Sequence, residues 1–303
     1  ISIVRSLEGI DPHAPYIVQR YMHRPHLLDG YKYDLRIYVL LTSLQPLRIF
    51  LFHEGLVRVC TEKYELRGSN LGSLCMHLTN YSINKDSEKF VQPEGADDSG
   101  AHKRLVSSLF ETLEAEGCDV EALWSAIAQL CVKTLISVQP HLQHTYSTCR
   151  MKGDDAGFTC FELLGFDGLL DYKLRPFLLE VNHSPSFTCD SPLDEAVKSA
   201  LLRGTMHMVS YGREELKLLR RVGARLDATT RARLCELRHL YQREPATRCG
   251  FTPIFPPPAE QDAGPAAVLL EQYEGPPRVA AAPYASHSVN GPPRAPGHRP
   301  PPA

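Results

Sequence analysis

Apolar residues along this chain recur with two periods, and a third stretch has little apolar material at all. Arg36 to Thr42 is a β-branched and aromatic run. Gln45-Pro46, Leu47 to Phe52, His53-Glu54-Gly55 and Leu56 to Cys60 follow in order. The pattern predicts strand, turn, strand, turn, strand, an antiparallel meander. Val120, Leu123, Trp124, Ile127, Cys131, Leu135 and Val138 recur at helical spacing, which predicts a helix over 120–138 with one buried face. Residues 160–170 and 176–182 read as two more apolar strands around the polar turn Asp171-Tyr172-Lys173. Ser191-Pro192 with Asp194 marks a helix start, with proline at the first helical position and an acid in the first turn. That helix is expected to run to about Tyr211, with Lys198 in its second turn.

These elements divide the chain into a folded part, 1–212, a basic helical segment, 213–250, and a Pro-rich tail, 251–303. The tail holds 14 of the 24 prolines and is expected to be disordered. In the helical segment, arginines and lysines outnumber acids. Leu216, Leu219, Leu226, Leu234, Leu237 and Tyr241 form an apolar stripe, so the arginines are expected on the other face, available to an acidic partner.

Composition narrows the class. A 43% hydrophobic content is ordinary for a globular protein. A net charge of −2 excludes a bulk polycation, and no nucleic-acid partner is expected. No apolar run near membrane-spanning length stands out, so no membrane partner is expected. The opening Ile1-Ser2-Ile3-Val4-Arg5 lacks a signal-peptide layout and is expected to lie inside a domain. Nine scattered cysteines without metal-ligand spacing point to reduced, cytosolic thiols.

Three groups of residues carry candidate chemistry. With the second hairpin's turn centred between Lys173 and Leu174, Asp167 lies opposite Glu180, and Asn182 shares their face. Two carboxylates and an amide oxygen suit Mg²⁺; the same three residues also fit an edge strand facing solvent. Lys32, Asp34 and Arg36 alternate along one strand face, where the cations suit phosphate oxygens and a solvated face is the alternative. Leu78-Thr79-Asn80-Tyr81-Ser82-Ile83-Asn84-Lys85 is dense in hydroxyl and amide groups, as a ligand loop or a turn and helix cap would be.

Gly30-Tyr31-Lys32-Tyr33-Asp34-Leu35-Arg36-Ile37-Tyr38-Val39, Met76 through Lys85, Cys160 through Asp167, and Leu179-Glu180-Val181-Asn182-His183-Ser184-Pro185-Ser186-Phe187 occur in that order. Together they resemble the tubulin–tyrosine-ligase-like family, in its chain-elongating polyglutamylase branch. Gly250-Phe251 to Phe255-Pro256 also resembles a short segment beyond the catalytic domain there. The resemblance implies an α+β fold, the C-terminal part of an ATP-grasp domain, with an antiparallel sheet and flanking helices.

It further implies ATP and Mg²⁺ as cofactors. Gln19, Arg20, Tyr21, Met22, Lys32, Asp34, Thr79 and Asn80 would contact the nucleotide. Asp167, Glu180 and Asn182 would hold the metal. Arg58, Ser82, Lys103 and Lys198 would hold free L-glutamate. The implied reaction activates a tubulin glutamate as an acyl phosphate, which the amine of a second glutamate attacks, with no covalent enzyme nucleophile. Glycine or tyrosine ligation by the same fold, and a non-catalytic microtubule-binding fragment, are the alternatives. Tubulin and microtubules are the implied partners, with a monomeric protein in the cytoplasm and cytoskeleton, at cilium, axoneme and basal body. The match begins where the family's glycine-rich nucleotide loop ends, which implies that residues 1–303 alone lack ligase activity. The family's basic run near residue 100 reads Gly100-Ala101-His102-Lys103-Arg104 here.

Overall fold

The computed structural model describes residues 1–256 except 7, 9, 12, 66, 68, 96–99, 150–159 and 223–226. The Pro-rich stretch 257–303, together with Arg225 and Leu226, lies outside the described residues. In chain order the elements are β1 (Leu27–Leu28), β2 (Tyr31–Leu44), β3 (Leu47–Lys63), α1 (Leu74–His77) and α2 (Tyr81–Asn84). Next come β4 (Lys103–Leu105), α3 (Val106–Ala115), α4 (Val120–Thr148), β5 (Glu162–Leu170) and β6 (Pro176–Asn182). Helices α5 (Pro192–Val209), α6 (Arg213–Val222) and α7 (Ala228–Ala246) lead through a short 3-10 turn to β7 (Phe251–Phe255). The strands form one antiparallel sheet ordered β4-β3-β2-β5-β6, with β1 on β2 and β7 on β3. The expected antiparallel sheet with flanking helices is therefore present.

Strand alternation sorts the side chains onto two faces. Tyr33, Leu35, Ile37, Val39 and Leu41 of β2 pack with Ile49, Leu51, Val57 and Val59 of β3 beneath α3 and α4. On the opposite face, Tyr38, Leu40, Phe50, Phe52 and Leu163 meet Leu193, Val197, Leu201 and Met208 of α5. Helix α4 starts where Asp119 accepts a hydrogen bond from Ala122 N at 2.9 Å. It buries Leu123, Ile127, Cys131, Val132 and Leu135. Against the sequence expectation, α4 is long and apolar enough to cross a bilayer by length and composition. In this fold its apolar stripe lies on the sheet.

The meander has one turn fewer than expected. β3 continues through His53-Glu54-Gly55 as a bulge, because Ile37 faces Gly55 while Val39 faces Leu51. Gly55 serves close backbone approach rather than a turn, since a Cβ there would sit 2.5 Å from Arg36 O. Glu54 instead accepts from Ser107 Oγ at 2.6 Å and from Ser107 N at 3.2 Å at the start of α3.

The start of the expected tail is also ordered. Phe251–Phe255 pairs with β3, placing Phe251 opposite Phe52 and burying Phe251 and Phe255. Pro253 is tolerated because β7 is a short terminal strand with one neighbour. The expected arginine-outward arrangement of the helical segment is overturned at Arg238. It is 2% exposed and pairs with equally buried Glu215 at 2.8 Å, its guanidinium 4.6 Å from the centroid of the Tyr211 ring and 5.9 Å from that of Tyr241. Arg48 of β3 reaches across to Cys235 O at 2.9 Å, and Leu234 is fully buried. Much of the expected stripe is therefore packed on the domain, although Leu216 stays exposed.

Candidate active site

Charge enters the sheet on the α5 face, at the end that α5 leaves uncovered by apolar side chains. Asp34 lies directly across from Arg58, and Arg36 directly across from Asp167. Cross-strand partners share a face, so register alone assembles an alternating chain of charges. Arg58 Nε donates to Asp34 Oδ1 at 2.8 Å, and its Nη2 bridges Asp34 Oδ2 and Asp167 Oδ2, the latter at 2.8 Å. Arg36 grips the same Asp167 with Nε and Nη2, the second at 2.9 Å. The bidentate fork suits both pairs. Burial pushes the Asp167 carboxyl up, but the Arg36 hydrogen bonds and the Arg58 charge outweigh it and hold the group below the usual carboxylate range. Asp34 and Asp167 raise Arg58 against its own burial.

The β5–β6 hairpin brings the remaining metal candidates to this face. Asp167 does lie opposite Glu180, and Gly165 opposite Asn182. The route to that register differs from the expected one. Beyond Asp167 the register shifts, so Gly168 faces Leu178 and the turn is centred on Lys173. Leu179 is the extra residue of a bulge. It turns Leu178 into the α4-side core while leaving Glu180 and Asn182 on the charged face. Asp171 fixes the turn by accepting from Lys173 N and Arg175 N, both at 2.9 Å, beside Leu174 at φ +59°. Asn182 Nδ2 lies 3.4 Å from Asp167 Oδ2 and 3.3 Å from Glu180 Oε1, so the three side chains adjoin.

Hard oxygen donors with exposed Glu180 opening to solvent fit a divalent cation such as Mg²⁺. Among the described residues no three of His, Cys, Asp and Glu group together. A cation held by Asp167 and Glu180 would find its third side-chain oxygen on the amide of Asn182.

A second buried group lies beside the first. Lys103 is paired with Arg58 across β3–β4. Its Nζ donates to Asp194 Oδ2 at 2.5 Å, and Lys198 Nζ sits 2.8 Å from Asp194 Oδ1. Ser191 caps α5 by accepting from Asp194 N at 3.2 Å and donating to Asp194 Oδ2 at 3.0 Å. Burial pushes the Asp194 carboxyl up; hydrogen bonds from the two lysines hold it below its ordinary value.

Lys32 anchors a third group. It is buried, donates to His77 O at 2.7 Å, and lies 4.5 Å from the centroid of the Tyr21 ring. Burial lowers its pKa, against the attraction of Asp34. Tyr21 Oη and His77 Nδ1 are 2.9 Å apart. Asn84 stitches the following loop, its Oδ1 accepting from Thr61 N at 3.0 Å and its Nδ2 donating to Leu78 O at 2.7 Å and Asn80 O at 3.1 Å. This holds buried Thr79 and half-buried Asn80 in place.

Of the residues singled out from sequence, Asp34, Arg58, Asp167, Glu180 and Asn182 are joined by contacts, as are Tyr21 with Lys32 and Lys103 with Lys198 through Asp194. Gln19 Nε2 donates to Leu179 O at 3.1 Å, on the bulge itself. Arg20 and Ser82 are exposed and Met22 is half-buried, with no side-chain hydrogen bond to these groups among the described residues. Sequence reasoning missed Asp194, which reads as an ordinary first-turn acid, and offered Arg36 to phosphate oxygens, whereas it grips Asp167. It also missed Asn84 and His77, which tie the loop carrying Thr79 and Asn80 to Thr61 and to Tyr21 and Lys32, far away in the chain.

Comparison with known proteins adds the identity of the fold. Residues 1–217 match the Tubulin-tyrosine ligase family. The chain is 44% identical over 272 residues to tubulin polyglutamylase ttll6 of Danio rerio, an alignment covering 84% of this chain and 34% of the relative. It is 48% identical over 233 residues to tubulin polyglutamylase TTLL13 of Mus musculus, covering 75% and 28%. It is 40% identical over 280 residues to a probable beta-tubulin polyglutamylase of Tetrahymena thermophila, covering 86% and 23%. The chain thus spans about a quarter to a third of the length of these curated relatives. With most of its described residues inside that match, the chain belongs to the tubulin-tyrosine ligase family.

Proposed function

We propose that this chain carries the metal- and nucleotide-binding sheet of an ATP-dependent ligase that joins L-glutamate to glutamate side chains of tubulin. The observation that carries the reading is the grouping of Asp167, Glu180 and Asn182 on one face of the β5–β6 hairpin, beside the Asp34–Arg58–Asp167–Arg36 chain. Relatives named as tubulin polyglutamylases support the choice of substrate. We read the antiparallel sheet as the C-terminal part of an ATP-grasp domain.

ATP with Mg²⁺, when bound, supplies an activated carboxyl and neutralises phosphate charge. The chain's own residues do the rest by position and charge. Glu180 and Asn182 offer oxygens at the open side, while Arg36 and Arg58 keep Asp167 ionised. Lys32 offers its ammonium to phosphate oxygens, with Thr79 and Asn80 on the braced neighbouring loop. Gln19, Arg20, Tyr21 and Met22 form the segment leading to the adenine. Arg58, Lys103 and Lys198, with Ser82 at the rim, hold the carboxylates of the incoming glutamate. Exposed Arg213, Arg220 and Arg231 on α6 and α7 face acidic tubulin, which suits a protein of the cytoskeleton and cilium.

The test offers purified full-length protein, tubulin and ATP–Mg²⁺ one labelled amino acid at a time. Glutamate incorporation that requires ATP is the expected result. Preference for glycine or tyrosine would move the substrate assignment, and incorporation without ATP would remove the reading.

A further inference from the structure

Asp194 has no exposed surface, yet two lysines share its carboxylate, and among the described residues no second acid pairs with either lysine. Its position is fixed three ways: by the first turn of α5, by the Ser191 hydroxyl, and by the α5 dipole, which favours negative charge there. One carboxylate against two ammonium groups leaves a surplus positive charge among side chains less than 10% exposed. An ammonium has three donor hydrogens. Lys103 spends one on Asp194, with the Tyr81 ring centroid 4.2 Å away, and Lys198 spends two, on Asp194 and Thr188 O. Tyr38 adds a fully buried hydroxyl with no hydrogen-bond partner among the described residues, within electrostatic reach of Arg36 and of Asp194. Surplus positive charge and unused donors in a desolvated place are matched by an anion.

We propose that Asp194 is a positioning residue: its buried carboxylate aims Lys103 and Lys198 at a carboxylate of the incoming amino acid. The proposal rests on the ligase reading above. A plain staple of α5 to β4 would need one lysine, not two. Acting through the lysines, Asp194 sets affinity for the amino acid and leaves nucleotide affinity alone.

Calorimetric titration of the full-length protein with L-glutamate, in the presence of Mg²⁺ and a non-hydrolysable ATP analogue, separates these roles. Asp194→Asn is expected to weaken glutamate binding by about tenfold or more, with the analogue's Kd within about threefold of wild type. Asp194→Glu keeps the charge and is expected to recover part of the loss. If Asp194→Asn does not fold, Asp194→Glu carries the test, with weaker glutamate binding at unchanged analogue affinity as the supporting result. Unchanged glutamate affinity in either folded variant, or equal losses for both ligands, would overturn the proposal. Wild-type protein that binds the analogue but no glutamate would overturn the ligase reading, and this proposal with it.

Discussion

The two faces of one sheet have had opposite demands placed on the same strands. Under α3 and α4, residues such as Leu35, Ile37, Val39, Leu51 and Val57 form a continuous apolar layer. One residue along in each strand, the other face carries Asp34, Arg36, Arg58 and Asp167, and becomes apolar only where α5 covers it. The dry face is held by burial, which is non-directional and tolerant of exchange among similar side chains. The charged face is held by a chain of ion pairs in which each member has two uses, partner and candidate ligand. Losing a residue should therefore cost stability alone on the first face, but stability and binding together on the second.

Arg58→Ala gives the largest expected effect. It leaves Asp34 and Asp167 buried without their shared cation, an expected loss of about 3–5 kcal/mol in chemical denaturation. Nucleotide and glutamate binding should fall with it. Stability within error of wild type would mean that the ion chain does not hold this face.

Leu35→Ala probes the other face at nearly the same sheet level. The expected loss is about 2–5 kcal/mol from lost burial and a residual cavity. At a temperature where the variant stays folded, ligand affinities should match wild type; a selective loss of binding would blur the distinction between the faces.

Acid sharpens the comparison, because Asp167 and Asp194 both belong to the charged face. Asp167 and Asp194 are held below their ordinary values, so as pH falls the unfolded chain takes up protons first. Their contribution is fully present above about pH 4 and is lost as pH drops through the folded-state values. His26, His77 and His102 are held below their ordinary value chiefly by burial, so denaturation midpoints should start to fall below about pH 6.5 in variant and wild type alike; below about pH 4 the decline should be shallower in Asp167→Asn. Parallel curves for variant and wild type would count against the assignment.

The smallest effect is expected at the rim. Replacing Arg213, Arg220 and Arg231 with Gln should change stability by no more than about 0.5 kcal/mol. Co-sedimentation with microtubules should weaken several-fold at low salt and converge with wild type as salt screens the charges. Unchanged binding at low salt would detach these helices from tubulin recognition.

What the sequence revealed follows the reach of its local signals. Alternation along β2 places Lys32, Asp34 and Arg36 on one face, and the polar turn at Asp171-Tyr172-Lys173 pairs Asp167 with Glu180. Neither observation depends on distant residues. The Leu179 bulge was invisible because the expected turn centre, half a residue off, led to the same pairing at Asp167. His53-Glu54-Gly55 looked like a turn because glycine and polar residues mark both turns and bulges, and only the approach of Arg36 O distinguishes them. Arg238 and Asp194 misled for the same reason. Each carries a charge that ordinarily faces water, and each is buried by a partner far along the chain or on another element: Glu215 for Arg238, Lys103 for Asp194. β7 was assigned to the tail because its five residues adjoin a proline-rich run, although Phe251 and Phe255 fill the core.

The charged face is best tested as a catalytic one through Glu180, the exposed donor whose replacement should leave the fold intact. Glu180→Gln in the full-length protein should retain the wild-type melting temperature within a few degrees. Its ATP-dependent incorporation of labelled glutamate into tubulin is expected to fall by about a hundredfold or more. Near-wild-type incorporation by that folded variant would contradict the assignment of Asp167, Glu180 and Asn182 as the metal-binding centre.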